Sequence, residues 1–154
     1  SKTIIEIVFS KESSIEEKNL KIIGLDDLGE VNIVADYDLI YQVMYNLIDN
    51  AIKFNCQNGF IEFDLKDENE TVTFKIRNGG STIAPQDLPF IFERFYKGDK
   101  SRAYVKDSTG LGLYIVKTIV NLHGGTITAD SIPDKYTEFT MTIPQVCNPK
   151  PKIR

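Results

Sequence analysis

The segment from Asp36 to Phe54, DYDLIYQVMYNLIDNAIKF, constrains this chain more than any other. Leu39, Ile40, Val43, Met44, Leu47, Ile48, Ala51 and Ile52 recur at the intervals that stack residues along one side of an α-helix. An apolar stripe of that width must be buried, so the segment predicts a long helix laid on a core, with Asp36 as its N-cap. Asn46, Asn50 and Lys53 fall on the other side at spacings of four and three. Two uncharged amides and an ammonium on one face offer oxygen ligands to a hard cation such as Mg²⁺ and a partner to phosphate. An ordinary solvated helix face explains the same residues, and the choice rests on the rest of the chain.

The other segments suggest a mixed sheet with helices. Thr3–Phe9 reads as a strand, followed by a charged connection rich in Ser and Glu. Short strands are suggested near Leu20–Ile23 and Val31–Val34, and Asn58-Gly59 marks a turn. Phe60–Lys66 and Thr71–Arg77 alternate apolar and polar residues across the acidic turn DENE, the pattern of a β-hairpin. Gln86–Phe95 reads as a short helix entered through Pro85, and Leu111–Leu122 as a periodic helix stopped by Gly124-Gly125. Gly125–Ser131 and Tyr136–Ile143 supply two further alternating strands. The fold class expected is α+β, one mixed sheet covered on one face by helices.

Bulk properties narrow the function classes. At 154 residues, 42% hydrophobic and 26% charged, the chain suits one globular domain with its own core. A formal net charge of −4 argues against a general nucleic-acid binder, which carries a basic face. No apolar run approaches the ~18 residues that cross a bilayer, and no secretory signal pattern opens the sequence. Cys56 and Cys147 lack metal-ligand spacing and suit reduced cytoplasmic thiols. The segment 148–154, NPKPKIR, reads as a flexible basic tail after a domain spanning 1–147.

Three further motifs bear on the polar helix face. STGLGL, Ser108 to Leu113, places Gly110 and Gly112 at the entrance of the second helix, where free N–H groups and the positive dipole end favour an anion. It has neither the Gly-Lys-Ser/Thr of a phosphate loop nor the third glycine of a dinucleotide fingerprint. NGGSTI, Asn78 to Ile83, follows directly on a strand. PFIFERFYKGDKSR packs Phe90, Phe92, Phe95 and Tyr96 together and then turns abruptly polar, reading as an aromatic knot, a hinge and a mobile loop.

In this order and spacing the four segments resemble the catalytic ATP-binding domain of bacterial sensor histidine kinases, within the superfamily of gyrase, heat-shock-chaperone and mismatch-repair ATPases. YQVMYNLIDNAIKFN is similar to that family's asparagine box. NGGSTIAPQDLPFIFERFY resembles its first glycine box running into its phenylalanine box, and STGLGLYIVKTIVNLHGG its second glycine box. The resemblance covers about Thr3 to Ile143 and implies a Bergerat-type α/β sandwich. It implies that Asn50 binds Mg²⁺, with Asn46 near the phosphates, Lys53 on phosphate and Phe54 against the adenine or ribose. Asn78, Gly80, Thr82 and Ile83 would border the base. Ser108, Thr109, Gly110, Leu111, Gly112 and Leu113 would line the triphosphate. Arg94, Lys97 and Arg102 are candidates to offset charge on the γ-phosphate, in a reaction governed by positioning and electrostatics.

The sequence departs from the family at informative places. Asn78 and Thr82 stand where the family usually has aspartate and glycine, so weakened adenine binding is an open expectation. Asn46 stands where hydrolysing members carry a glutamate, and an amide is no general base at neutral pH. The resemblance therefore implies transfer of the γ-phosphoryl group to a histidine on a separate dimerisation domain, then to a response-regulator receiver domain. His123, the only histidine, is expected to pack or cap the helix end rather than accept phosphate. The implied setting is a monomeric cytoplasmic domain of a membrane-anchored parent. A serine kinase of the anti-sigma-factor type and a nucleotide-binding module without transfer are the alternatives.

Overall fold

The computed structural model describes residues 1–96 and 111–145. Helix α1 (Lys2–Ser10) and short helix α2 (Glu12–Glu17) lead into strand β1 (Lys21–Ile23). Helix α3 (Tyr37–Lys53) precedes the hairpin β2 (Phe60–Asp67) and β3 (Thr71–Asn78). A single 3₁₀ turn (Leu88–Phe90), helix α4 (Gly112–Leu122), β4 (Thr126–Ile132) and β5 (Tyr136–Pro144) complete the described order. The strands form one sheet in the order β1-β2-β3-β5-β4, with β1 parallel to β2 and the other neighbours antiparallel.

The helices cover one face of this mixed sheet, as the sequence pattern expects. Period-two alternation turns Ile61 and Phe63 of β2, Phe74 and Ile76 of β3, and Phe139, Met141 and Ile143 of β5 towards them. Ile4 and Ile7 of α1, Val43, Leu47 and Ile48 of α3, and Val116 and Val120 of α4 fill the space above. The opposite face is polar. Arg77 pairs with Glu138 at 2.7 Å and stacks over Tyr136, and a surface cavity of about 330 Å³ lined by Glu62, Asp64, Lys75, Arg77 and Glu138 opens there.

Three local expectations are corrected. Thr3–Phe9 is not a strand but the body of α1. Ile4, Ile7 and Val8, at helical spacing, are the residues buried, and tertiary packing of that stripe overrides the β-propensity of isoleucine and valine. The connection after it contains α2, and Val31–Val34 forms no strand, with Ile33 alone of its branched residues packing on the core besides Ala35 nearby. Gln86–Phe95 contributes only the 3₁₀ turn rather than a helix. The proposed tail 148–154 lies outside the described residues. Among the described residues no helix is long and apolar enough to cross a membrane.

Helices α3 and α4 are joined at one end through His123. Its Nδ1 lies 2.8 Å from the Ile119 carbonyl oxygen, and its Nε2 accepts from the Asp36 backbone N–H at 3.2 Å. A carbonyl can only accept, so the ring is the Nδ1–H tautomer, and both nitrogens are engaged. The same Asp36 caps α3 by accepting from Leu39 N–H at 3.0 Å. His123→Ala removes both contacts and is expected to lower stability by about 1–2 kcal/mol, read as a fall of several degrees in Tm by calorimetry.

Candidate nucleotide site

Helix α3 meets the loop after β3 at its C-terminal end and the start of α4 two turns earlier, at Asn46. Phe54 closes the helix, and its carbonyl oxygen accepts from Ser81 N–H at 2.9 Å. Gly80, at φ +95°, lies so close that a Cβ there would sit 2.5 Å from the same oxygen and 2.6 Å from Cys56 N. Only glycine meets both the backbone angle and the space, so Gly80 lets the loop after β3 rest on the end of α3. Asn55, buried beneath this contact, donates to the Phe60 carbonyl at 2.8 Å and accepts from Cys56 N–H at 3.0 Å. Gly59 leaves room for its Oδ1.

A second buried polar group holds the other side of the loop. Ser131 Oγ accepts from Ile83 N–H at 2.9 Å and lies 3.1 Å from Thr137 Oγ1, which in turn donates to the Ser81 carbonyl at 3.4 Å. Asn78, 4% exposed and opposite Thr137 in the β3–β5 register, donates its Nδ2 to the Gly79 carbonyl at 2.7 Å. That bond fixes the amide orientation and leaves Oδ1 without a donor among the described residues. Thr82 and Ile83 are half-buried beside it.

On α3, Asn46 and Asn50 are half-buried and Lys53 is exposed. Asn46 Nδ2 makes a long contact, 3.5 Å, to the Gly112 carbonyl, tying the amide face of α3 to the first residue of α4. Leu111 is the N-cap of α4 and makes no side-chain cap, so the first N–H groups of the helix have no side-chain acceptor there. A Cβ on Gly112 would meet nothing within 4 Å, so packing among the described residues does not account for that glycine. Leu113 packs at the edge of the core. Asn50's side chain forms no hydrogen bond with another described residue.

Lys53 is not a free cation. It pairs with Asp49, one helical turn earlier, at 2.9 Å, and the other carboxylate oxygen of Asp49 takes Lys11 at 2.8 Å. Burial opposes ionisation of Asp49, but hydrogen bonds from Lys11 and Lys53 outweigh it and hold the carboxyl below its ordinary range. Lys18 donates to the carbonyls of Ile52, Lys53 and Asn55 at 2.7, 3.0 and 3.3 Å, a side-chain cap on the negative end of α3.

The aromatic segment is divided rather than knotted. Phe92 enters the core edge-on to Phe139 at 6.2 Å, Phe90 leans on Tyr96 at 6.0 Å, and Phe95 is 64% exposed. Arg94 stacks on Tyr114 of α4, its guanidinium 4.9 Å from the ring centre. The expected loop cations Lys97 and Arg102 and the glycine-box residues Ser108, Thr109 and Gly110 lie outside the described residues. The structure thus brings Asn46 against Gly112 and Phe54 against Gly80, with Asn50 and Lys53 between them on the same helix. Asp49 was missed, although its i, i+4 spacing from Lys53 could have found it. Asn55, Lys11, Lys18, Ser131 and Thr137 were missed, because their partners are distant in sequence or are backbone atoms.

An α+β sandwich with amide groups on one helix facing the start of another is the arrangement of a nucleotide-binding ATPase domain. Residues 35–146 match the family described as histidine kinase-, DNA gyrase B-, and HSP90-like ATPase, and the chain belongs to that family. It is 38% identical over 141 residues to the heme sensor protein HssS of Staphylococcus aureus, an alignment covering 92% of this chain and 30% of that protein. The chain therefore spans about a third or less of the length of the curated relatives it matches. Among solved structures, the nucleotide-free catalytic domain of the histidine kinase ThkA superposes with a TM-score of 0.79 at 28% identity, covering 94% of this chain and 92% of that one. The mycobacterial sensor histidine kinase MprB shares the fold, with a TM-score of 0.77 at 22% identity over 93% of each chain.

The Asp49 cluster makes stability depend on acid. An unfolded aspartate titrates near 3.9, and the folded carboxyl titrates lower. The contribution is therefore complete above the unfolded value and is lost as pH falls through the folded one. Thermal unfolding of the wild type beside Asp49→Asn is expected to show a gap at pH 7 that closes towards pH 3.

Proposed function

We propose that this chain binds Mg²⁺-ATP between the amide face of α3 and the start of α4 and donates the γ-phosphoryl group to a histidine on a separate dimerisation domain. From there the group passes to an aspartate of a response-regulator receiver domain. The observation that carries the reading is the meeting of Asn46 with Gly112, at a helix N-terminus whose N-cap Leu111 gives no side-chain cap and where no described residue comes within 4 Å of a Cβ built on Gly112. Triphosphate oxygens suit backbone N–H groups at such an end.

The residues fit a metal held chiefly by phosphate. Among the described residues no group of three His, Cys, Asp or Glu side chains is placed to hold an ion, whereas Asn50 has a half-buried amide free of described partners. A single amide oxygen with nucleotide oxygens and water is a usual Mg²⁺ arrangement, and the ion would offset charge on the β- and γ-phosphates. Lys53 sits one turn on, able to reach phosphate by leaving Asp49. Phe54 and the Gly80 loop would flank the base and ribose. Arg94, Lys97 and Arg102 remain candidates near the γ-phosphate. In the transfer, an imidazole nitrogen of the acceptor forms the new bond to phosphorus, and the β–γ bridging oxygen leaves with its electron pair on ADP. The imidazole's proton goes to a base on the acceptor's own domain.

Within the proposed domain, spanning 1–147, Asn78 would read the base. With its Nδ2 committed to the Gly79 carbonyl, its Oδ1 accepts from an exocyclic amine, which adenine has and guanine lacks at that position. His123 is already engaged by two backbone groups, which supports an acceptor elsewhere. The parent is proposed to be membrane-anchored, with this domain cytoplasmic and monomeric.

Radiolabelled ATP with Mg²⁺ and a separately prepared dimerisation domain is expected to label histidine on that domain. Asn50→Ala is expected to cut both nucleotide affinity and labelling at least ten-fold. Label on serine, or binding without label, would count against histidine transfer, and brisk hydrolysis without an acceptor would contradict the role given to Asn46.

Asn78→Asp replaces a donor by a carboxylate facing the Gly79 carbonyl. The free domain is expected to lose about 1–3 kcal/mol, while a charged acceptor for the adenine amine tightens ATP binding roughly ten-fold, or about 1.4 kcal/mol. Calorimetric titration beside thermal unfolding checks both.

A further inference from the structure

Lys11 lies at the elbow between α1 and α2, 38 residues from Asp49 in sequence, yet its ammonium is 2.8 Å from that carboxylate and 2.7 Å from the Tyr45 hydroxyl. It also lies 4.3 Å from the centre of the Tyr45 ring. Asp49 thus has two cationic partners, one on each oxygen, and only one of them, Lys53, lies beside the amide face. The side chains of Lys11 and Asp49 are each 18% exposed, against 48% for Lys53. Lys11 is the sheltered partner and Lys53 the one at the surface.

This asymmetry has an electrostatic consequence for any polyanion arriving at the site. Lys53 must leave Asp49 to pair with phosphate. Without Lys11 its departure would strand a largely sheltered carboxylate one helical turn from incoming phosphate, a costly arrangement. With Lys11 in place the carboxylate keeps a partner throughout. We propose that Lys11 and Asp49 are positioning residues for phosphate binding: Asp49 parks Lys53 at the edge of the site, and Lys11 is the resident counter-ion that lets Lys53 exchange the carboxylate for nucleotide phosphate. The inference rests on the nucleotide-binding reading above. It places part of the phosphate affinity on the α1–α2 elbow, outside the four sequence motifs.

The pair Asp49 and Lys53 alone would behave differently from the triad. Lys11→Met leaves Lys53 as the carboxylate's only partner, so phosphate has to compete for it. Asp49→Asn removes the competitor and the charge together. In that background Lys11 has nothing to neutralise.

The test is a double-variant cycle on the full chain, with Mg²⁺-ATP and adenosine as probes and thermal unfolding as the control for folding. Lys11→Met is expected to weaken Mg²⁺-ATP about three- to ten-fold and leave adenosine unchanged, while Lys11→Arg, which keeps the cation, retains most of the affinity. Asp49→Asn is expected to bind Mg²⁺-ATP at least as tightly as wild type, and adding Lys11→Met to it to have no further effect. An equal loss for adenosine would show a purely structural lysine, and the full loss persisting in the Asp49→Asn background would show a lysine acting independently of Asp49; either overturns the proposal. So would unchanged Mg²⁺-ATP affinity in Lys11→Met. A wild-type chain that binds no nucleotide overturns the underlying reading instead, which separates the two failures.

Discussion

The contact on which the candidate site depends is the close approach of Gly80 to the last turn of α3. A helix end leaves carbonyls without intrahelical partners, and here they are met from two directions. Ser81 N–H takes the Phe54 carbonyl from the loop after β3, and Lys18 takes the carbonyls of Ile52, Lys53 and Asn55 from the end of α2. The sheet, the long helix and the N-terminal arm therefore converge on four consecutive residues, Ile52 to Asn55. A side chain at position 80 would push the loop off the helix, and with it the Asn78 amide and the backbone at Ile83. The same approach that satisfies the helix end thus sets the distance between the amide face of α3 and the loop after β3.

Burying the polar groups of that loop is tolerable because each finds a hydrogen-bond partner, Ser131 and Thr137 in one another and Asn55 and Asn78 in the backbone. Asn55, Asn78, Ser131 and Thr137 are all buried, and among the described residues every side-chain nitrogen or oxygen fully shut off from solvent has a hydrogen-bond partner, the Oδ1 of Asn78 being the atom left open. Such a network fixes geometry more firmly than an apolar contact of similar area, since losing one member leaves others unpaired. It has a directional result at Asn78. The Gly79 carbonyl dictates which end of the amide is presented, so an uncharged residue acquires a defined acceptor.

Much of the fold was legible because it rests on periodicity. The stripe from Ile40 to Ile52 is buried as its spacing requires, Asp36 caps the helix, and the β2–β3 hairpin and the β4–β5 pair follow their alternation. The sequence misled where two periodicities overlap. Ile4, Ile5, Ile7 and Val8 satisfy a short strand as readily as a helix turn, and only contact with α3 decides it. At the site, motif residues were legible and their supports were not. Nothing local to Lys11 or Lys18 announces a partner more than 30 residues away, and Ser131 and Thr137 read as ordinary strand hydroxyls until the register places them together.

Asn46 shows why a support and a chemical role can be one residue. Its Nδ2 reaches the Gly112 carbonyl, linking α3 to the start of α4. An ionised glutamate at that position would have no hydrogen to donate and would set its charge against the carbonyl's negative end, so this link requires an amide or another donor. An amide is also unable to take a proton from water at neutral pH. A chain that fastens its two site helices through Asn46 thereby gives up the general base at that position. The side chain that links α3 to the start of α4 is thus one that cannot activate water, which supports the proposed transfer to an external acceptor over hydrolysis.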